Sequence, residues 1–283
     1  MSAQPIFPTP LQGALLAFMG SFFAGAVALL AADSMSPTAA MGLGSVVGLG
    51  AAGALGAASV PPPHGARIGL RGFAAPRLGA LLLLLPIALV ASEVDNAVKA
   101  LWPPPDAPAV AQAAVEKLPT DTGLALLETA IVVVGLVPLV EEWFFRGVLQ
   151  QGAIARYGAA GGIVFTSLLF ALGHGAPGIS PPSWLAAVAQ ALVLGLALGY
   201  ARHATGSILA PALLHAGVNG LGVAALAWPH VVAIPGYNAP GAHTPLAWLA
   251  PCVLAVCAGL WLLAREPAPA APPVESPADA ERE

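Results

Sequence analysis

Eight apolar stretches, each close to the length of a membrane crossing, follow one another along this chain, and no other feature narrows its fold so far. They run from about 11 to 32, 37 to 59, 78 to 101, 122 to 149, 158 to 174, 184 to 202, 207 to 227 and 245 to 264, with proline, glycine and charge in the gaps. About 20 apolar residues carry a helix across the hydrocarbon of a bilayer. In that medium the backbone must bond to itself, which a helix does. The composition agrees: 58% of residues are hydrophobic, 8% are charged and the mean hydropathy is +0.82, where a soluble domain carries about 25% charge. The expected fold is all-α, a polytopic membrane helical bundle of about eight transmembrane helices. No Lys or Arg precedes the first stretch, and it is too long for the core of a signal peptide, so it reads as a retained span.

Cytoplasmic loops are enriched in Lys and Arg, which sets the orientation. With the N-terminus inside, Arg67, Arg71, Arg77, Arg156, Arg202 and Arg265 fall on the cytoplasmic side and only Lys99 and Lys117 fall outside. The expected topology is N-in and C-in, in a plasma membrane that the Ala, Gly and Pro bias suggests is bacterial. A net charge of -4 argues against nucleic acid as a partner. Small residues four apart, such as Gly44 with Gly48 and Gly195 with Gly199, allow helix backbones to approach closely. Cys252 and Cys257, five apart in one helical stretch, cannot bridge and read as packing residues. Residues 1–121 read as N-terminal helices and loops, with a short amphipathic piece in the 60–77 loop. Residues 122–227 read as the core that carries the chemistry, 228–264 as the last loop and span, and 265–283 as a disordered cytoplasmic tail.

Against this background the ionisable residues inside spans stand out, because each costs at least about 2.5 to 3.5 kcal/mol near the bilayer centre. The fourth stretch holds Glu141, Glu142 and Arg146 in EEWFFRG; the fifth ends in Phe170 and His174; the seventh holds His215 and Asn219 in HAGVN. Neighbours on a helix point about 100° apart while residues four apart share a face. Glu142 therefore stacks with Arg146, and Glu141 has no local partner. If the chain reverses at Tyr157, Glu141 and His174 lie at nearly the same depth, about 24 to 25 Å from the turn. His215 and Asn219 share one face of the seventh span.

Such a set suits hydrolysis. A desolvated carboxylate is a competent general base, an imidazole beside it can share the water or pass on a proton, and His215 with the Asn219 amide can stabilise an oxyanion. Ser167 and Ser207 lack a base at suitable spacing. The other histidines, His64, His203, His230 and His243, fall in or beside loops, and Glu93, Asp95, Lys99 and Glu128 lie near outer span ends, where they read as structural.

The strings EExxxR (Glu141, Glu142, Arg146), FxxxH (Phe170, His174) and HxxxN (His215, Asn219), in this order on successive late spans, resemble the CPBP family of intramembrane proteases, which contains the type II CAAX prenyl endopeptidases and the bacteriocin-processing or Abi proteins. The resemblance covers about residues 122–226. It implies that Glu141 activates water with help from His174, that His215 and Asn219 stabilise the oxyanion, and that Glu142, Arg146 and Phe170 support the site. It also implies a peptide or protein substrate, with or without a membrane anchor. The favoured mechanism uses no cofactor. Zn²⁺ held by Glu141, His174 and His215 is the alternative, although no HExxH pair is present. Two other classes fit a buried Glu and His set: a proton-coupled transporter, against which stands the lack of an internal repeat, and a non-catalytic membrane scaffold or immunity protein.

Overall fold

Helix after helix begins where the sequence offers a cap or a proline. Thr9, Ser36, Thr122 and Ser180 each accept a backbone N–H at a helix start, and Pro10, Pro37 and Pro181 occupy the first turns of three of these helices. The computed structural model describes residues 8–106, 109, 118–175, 178–237 and 242–265. Lys117 and the tail from Glu266 onward lie outside the described residues.

Seven described helices are long and apolar enough to cross a membrane: α1 (Pro10–Ala31), α2 (Pro37–Ala57), α3 (Pro76–Leu101), α4 (Gly123–Gly173), α5 (Pro181–Thr205), α6 (Leu209–Ala227) and α7 (Leu246–Arg265). A one-turn helix, His64–Ile68, lies in the loop before α3. No strand occurs among the described residues, so the chain is an integral, multi-pass helical bundle.

The fourth and fifth expected spans are the two limbs of α4. Gly158 has φ 75° and ψ 173°, a backbone region that essentially only glycine adopts. Reversal there, one residue past the expected turn, brings Ile154 against Gly162 and packs the rings of Phe145 and Phe170 with centroids 5.4 Å apart. The limbs are unequal. Residues 123–157 form the long one, and residues 159–173 the short one, which ends beside His174.

Loop contacts agree with the span count. At one end, Arg71 Nε donates to Gly206 O (3.0 Å), Arg202 donates to Arg67 O (2.8 Å) and Arg77 donates to Ala204 O. At the other, Ser36 bonds Glu128, Asn96 donates to Gly236 O (2.9 Å), and Glu93 accepts from Thr244 N (2.7 Å) and meets His243 Nδ1 at 2.6 Å. Lys99 pairs with Asp95 at 2.6 Å. Asp106 accepts from Ser180 N and Oγ, both at 2.6 Å, and from Ser183 Oγ at 2.7 Å at the head of α5. These bonds hold the Asp106 carboxyl down at about 2. Each contact joins segments that eight crossings place on the same side. Cys252 and Cys257 are both free.

Glycines set the closest approaches. A Cβ on Gly48 would stand 2.3 Å from Ala24 N, and one on Gly53 2.6 Å from the Trp143 ring, so α2 lies against α1 on one side and against α4 on the other. The core forms where α3, both limbs of α4, α5 and α6 meet, around Leu84, Phe144, Val148, Phe170, Leu198 and Leu214.

Candidate active site

Two stretches of wide-turned helix flank the two glutamates of the fourth span, and the second stretch holds Arg146. Residues Ala130–Leu136 and Trp143–Leu149 are π-helical, and the short α-helical piece Val137–Glu142 lies between them. Such π-turns are rare and concentrate at functional sites. A turn wider than 3.6 residues advances each residue by less than 100°, which keeps positions four apart closely in line. Glu142, Arg146 and Gln150 consequently form one column along α4.

That column is fully buried and bonded across to α5 and α6. Arg146 Nη1 donates to Glu142 Oε1 at 3.1 Å, and neither side chain is exposed. Arg146 Nη2 donates to Gly195 O at 3.2 Å, and Gln150 Nε2 to Gly199 O at 2.8 Å. The Gly195 and Gly199 pair, which the sequence offers only as a packing motif, therefore supplies acceptors at the same four-residue spacing as its donors. Gln150, four residues after Arg146, is a site-supporting residue that sequence reasoning missed; its spacing was the available signal.

His215 stands between the two glutamates. Its Nδ1 lies 2.9 Å from Glu142 Oε1, within hydrogen-bond reach, and its Nε2 lies 3.9 Å from Glu141 Oε2. Glu142 carries no exposure, whereas the Glu141 side chain is 14% exposed. Adjacent in sequence, the two carboxylates thus divide: one is locked into the interior with Arg146 and His215, and the other is free at the edge of the site.

Phe170 is the common wall. Wholly buried, it lies under the Arg146 guanidinium (4.2 Å to the ring centroid), 5.7 Å from the His215 ring and 4.4 Å from the His174 ring. His174 Nδ1 is 2.8 Å from the Phe170 carbonyl. If Nδ1–H donates there, Nε2 is left as an acceptor. The hairpin register that pairs 145 and 146 with 170 brings 141 and 142 level with 174, as the residue count from the turn predicts. His174 makes no direct hydrogen bond to Glu141 or His215 among the described residues. Nor does Asn219, whose Nδ2 donates to Val133 O at 2.9 Å and fastens α6 to α4.

Among the described residues no three His, Cys, Asp or Glu side chains are placed to hold a metal ion together. In the expected alternative set of Glu141, His174 and His215, His215 Nδ1 faces Glu142 and His174 Nδ1 faces the Phe170 carbonyl, so each ring has only Nε2 left to bind a metal.

Residues 123–221 match the family model for type II CAAX prenyl endopeptidase, Rce1-like, a span that takes in all seven motif residues. No curated protein and no solved structure matches the chain.

Proposed function

Since the chain belongs, through residues 123–221, to the Rce1-like family of type II CAAX prenyl endopeptidases, which are intramembrane proteases, we propose that Glu141 activates the water that hydrolyses a peptide bond of a membrane-associated substrate. The observation that carries this reading is the division of the carboxylates. Glu142 is buried and bonded through Oε1 to Arg146 and His215, while Glu141 has no hydrogen-bonded partner among the described residues and is partly exposed. A general base must be within reach of the proton that it takes, and only Glu141 of the pair is open to a water.

Glu141 takes the proton of the water as its oxygen attacks the carbonyl carbon. His174, with Nδ1 committed to the Phe170 carbonyl, presents Nε2 as a second acceptor for that water. His215 is oriented by Glu142. A neutral ring that donates Nδ1–H to this carboxylate has a bare Nε2, so it becomes an oxyanion donor only after gaining a proton. The remaining N–H of the Asn219 amide is the second donor. Collapse of the tetrahedral intermediate breaks the C–N bond, and Glu141 returns its proton to the leaving amine.

The substrate class that fits is a polypeptide segment at or near the membrane surface, without need of a prenyl group, and the setting that fits is a bacterial inner membrane. No cofactor is part of the proposed reaction. The test is cleavage of candidate peptides by the purified protein in lipid, with and without a strong chelator. Glu141→Ala should lower kcat/KM by about a hundred- to ten-thousand-fold and His174→Ala by a similar order, each with an unchanged melting profile. Unchanged cleavage in both variants would refute the assignment, and cleavage abolished by the chelator would replace it with a metal-dependent one.

A further inference from the structure

Four side chains of the core, none more than 1% exposed, each leave a polar atom without a partner among the described residues: Glu142 Oε2, Arg146 Nε, Gln150 Oε1 and Ser167 Oγ. They are not scattered. Glu142, Arg146 and Gln150 form the column on the long limb of α4, facing Gly195 and Gly199 of α5. Ser167, on the short limb, faces the same two glycines: a Cβ built on Gly195 would lie 3.2 Å from Ser167 Cβ. A Cβ on Gly199 would lie 3.0 Å from Ile163 Cγ2, 3.2 Å from Gln150 Oε1 and 3.5 Å from Ser167 Oγ. Two unpartnered polar atoms from two limbs therefore flank a single glycine.

An unmet buried polar atom costs about 1 to 3 kcal/mol, and native interiors leave few of them. Polar gaps bounded by two to four such atoms hold water, whereas apolar ones stay dry. The chemistry is complementary, since an amide oxygen accepts and a serine hydroxyl donates or accepts.

We propose that this seam is a water-binding site: water is held at Gly199 by Gln150 Oε1 and Ser167 Oγ, and the column above it leads to Arg146 Nε and Glu142 Oε2. It stores, beside a site enclosed by membrane, the reactant that hydrolysis consumes. Its use as a supply rests on the hydrolase reading; its occupancy does not. Phe170, one turn past Ser167 on the same limb, lies between this store and the His174 side of the site.

The experiment is solid-state NMR of the full chain in liposomes, following polarisation transfer from water to the side-chain N–H groups of Gln150 and Arg146, each assigned by its loss on substitution. Both should receive water polarisation rapidly despite their burial. Gly199→Ala, whose methyl crowds Gln150 Oε1 and Ser167 Oγ, should slow transfer to Gln150 several-fold. If that variant does not fold, Ser167→Ala, which removes a water partner and adds no atom, reads the same site. Slow transfer in the unmodified protein, or transfer unaffected by the folded variant, overturns the proposal. Rapid transfer in a protein that cleaves nothing supports the water site and counts against the hydrolase reading alone. With a peptide substrate, Gly199→Ala should lower kcat several-fold at constant KM, and an unchanged kcat overturns the supply role.

Discussion

At the scale of single residues, Arg146 and Glu142 matter less as a stabilising pair than as a fixed mount for His215. Breaking a buried ion pair by removing one partner costs about 3 to 5 kcal/mol, because the other charge is left uncompensated, whereas replacing both is far milder. Arg146→Met should therefore destabilise the protein by about 3 to 5 kcal/mol. Adding Glu142→Gln should restore most of the melting temperature without restoring cleavage, since the His215 Nδ1 acceptor stays weakened. A thermal melt alongside a peptide assay checks both halves. Recovery of activity together with stability would reduce Glu142 to a neutraliser of Arg146. The sequence made the Glu142 and Arg146 pairing legible through its four-residue spacing. It did not reveal that Glu142, and not Glu141, holds His215 Nδ1. Which of two adjacent glutamates faces a neighbouring helix depends on helix rotation, and here the π-turns around residues 137–142 set that rotation. An apolar run carries no mark of an i to i+5 bond, so this part of the site could not be read in advance.

At the scale of elements, the reversal within α4 brings the two limbs into register, and it hangs on one glycine. Gly158 at φ 75° and ψ 173° occupies a region where a side chain costs about 1 to 3 kcal/mol. No neighbour stands within 4 Å of the missing Cβ, so the penalty in Gly158→Ala is conformational and not steric. That variant should melt at lower temperature by an amount matching this cost, and it should lose cleavage out of proportion to stability, because a shifted turn moves His174 relative to Glu141. Unchanged melting would show that the turn tolerates another backbone. The reversal itself was legible, because the residue count from a turn at Tyr157 places Glu141 and His174 level. The small-residue motifs were legible as well, as Gly48 against Ala24 shows. Bonds between loops were not. Asp106 at the head of α5 and Glu93 under Thr244 and His243 are joined across 74 and more residues, and no local pattern announces such a pairing.

At the scale of the whole molecule, the arginine-bearing ends lie together and the acid-bearing loop contacts lie at the opposite end, as eight crossings require. Orientation in the membrane follows from the positive-inside rule. In a background with Cys252→Ala and Cys257→Ala, a membrane-impermeant maleimide added to intact cells should label Asp33→Cys. It should label His64→Cys only after the cells are opened, and the reverse pattern would invert the topology. The two limbs of α4 add a mechanical consequence. As regular α-helix the long limb, about 35 residues, would stand about 52 Å tall, and its π-turns shorten it, while the short limb, about 15 residues, stands only about 22 Å in hydrocarbon about 30 Å thick. No flat bilayer matches both. Tilt accommodates the tall limb, and a thinning of the bilayer accommodates the short one, each at a fraction of a kcal/mol per Å. A limb this short favours a thinner bilayer beside His174, which would shorten the path from the lipid surface to the site.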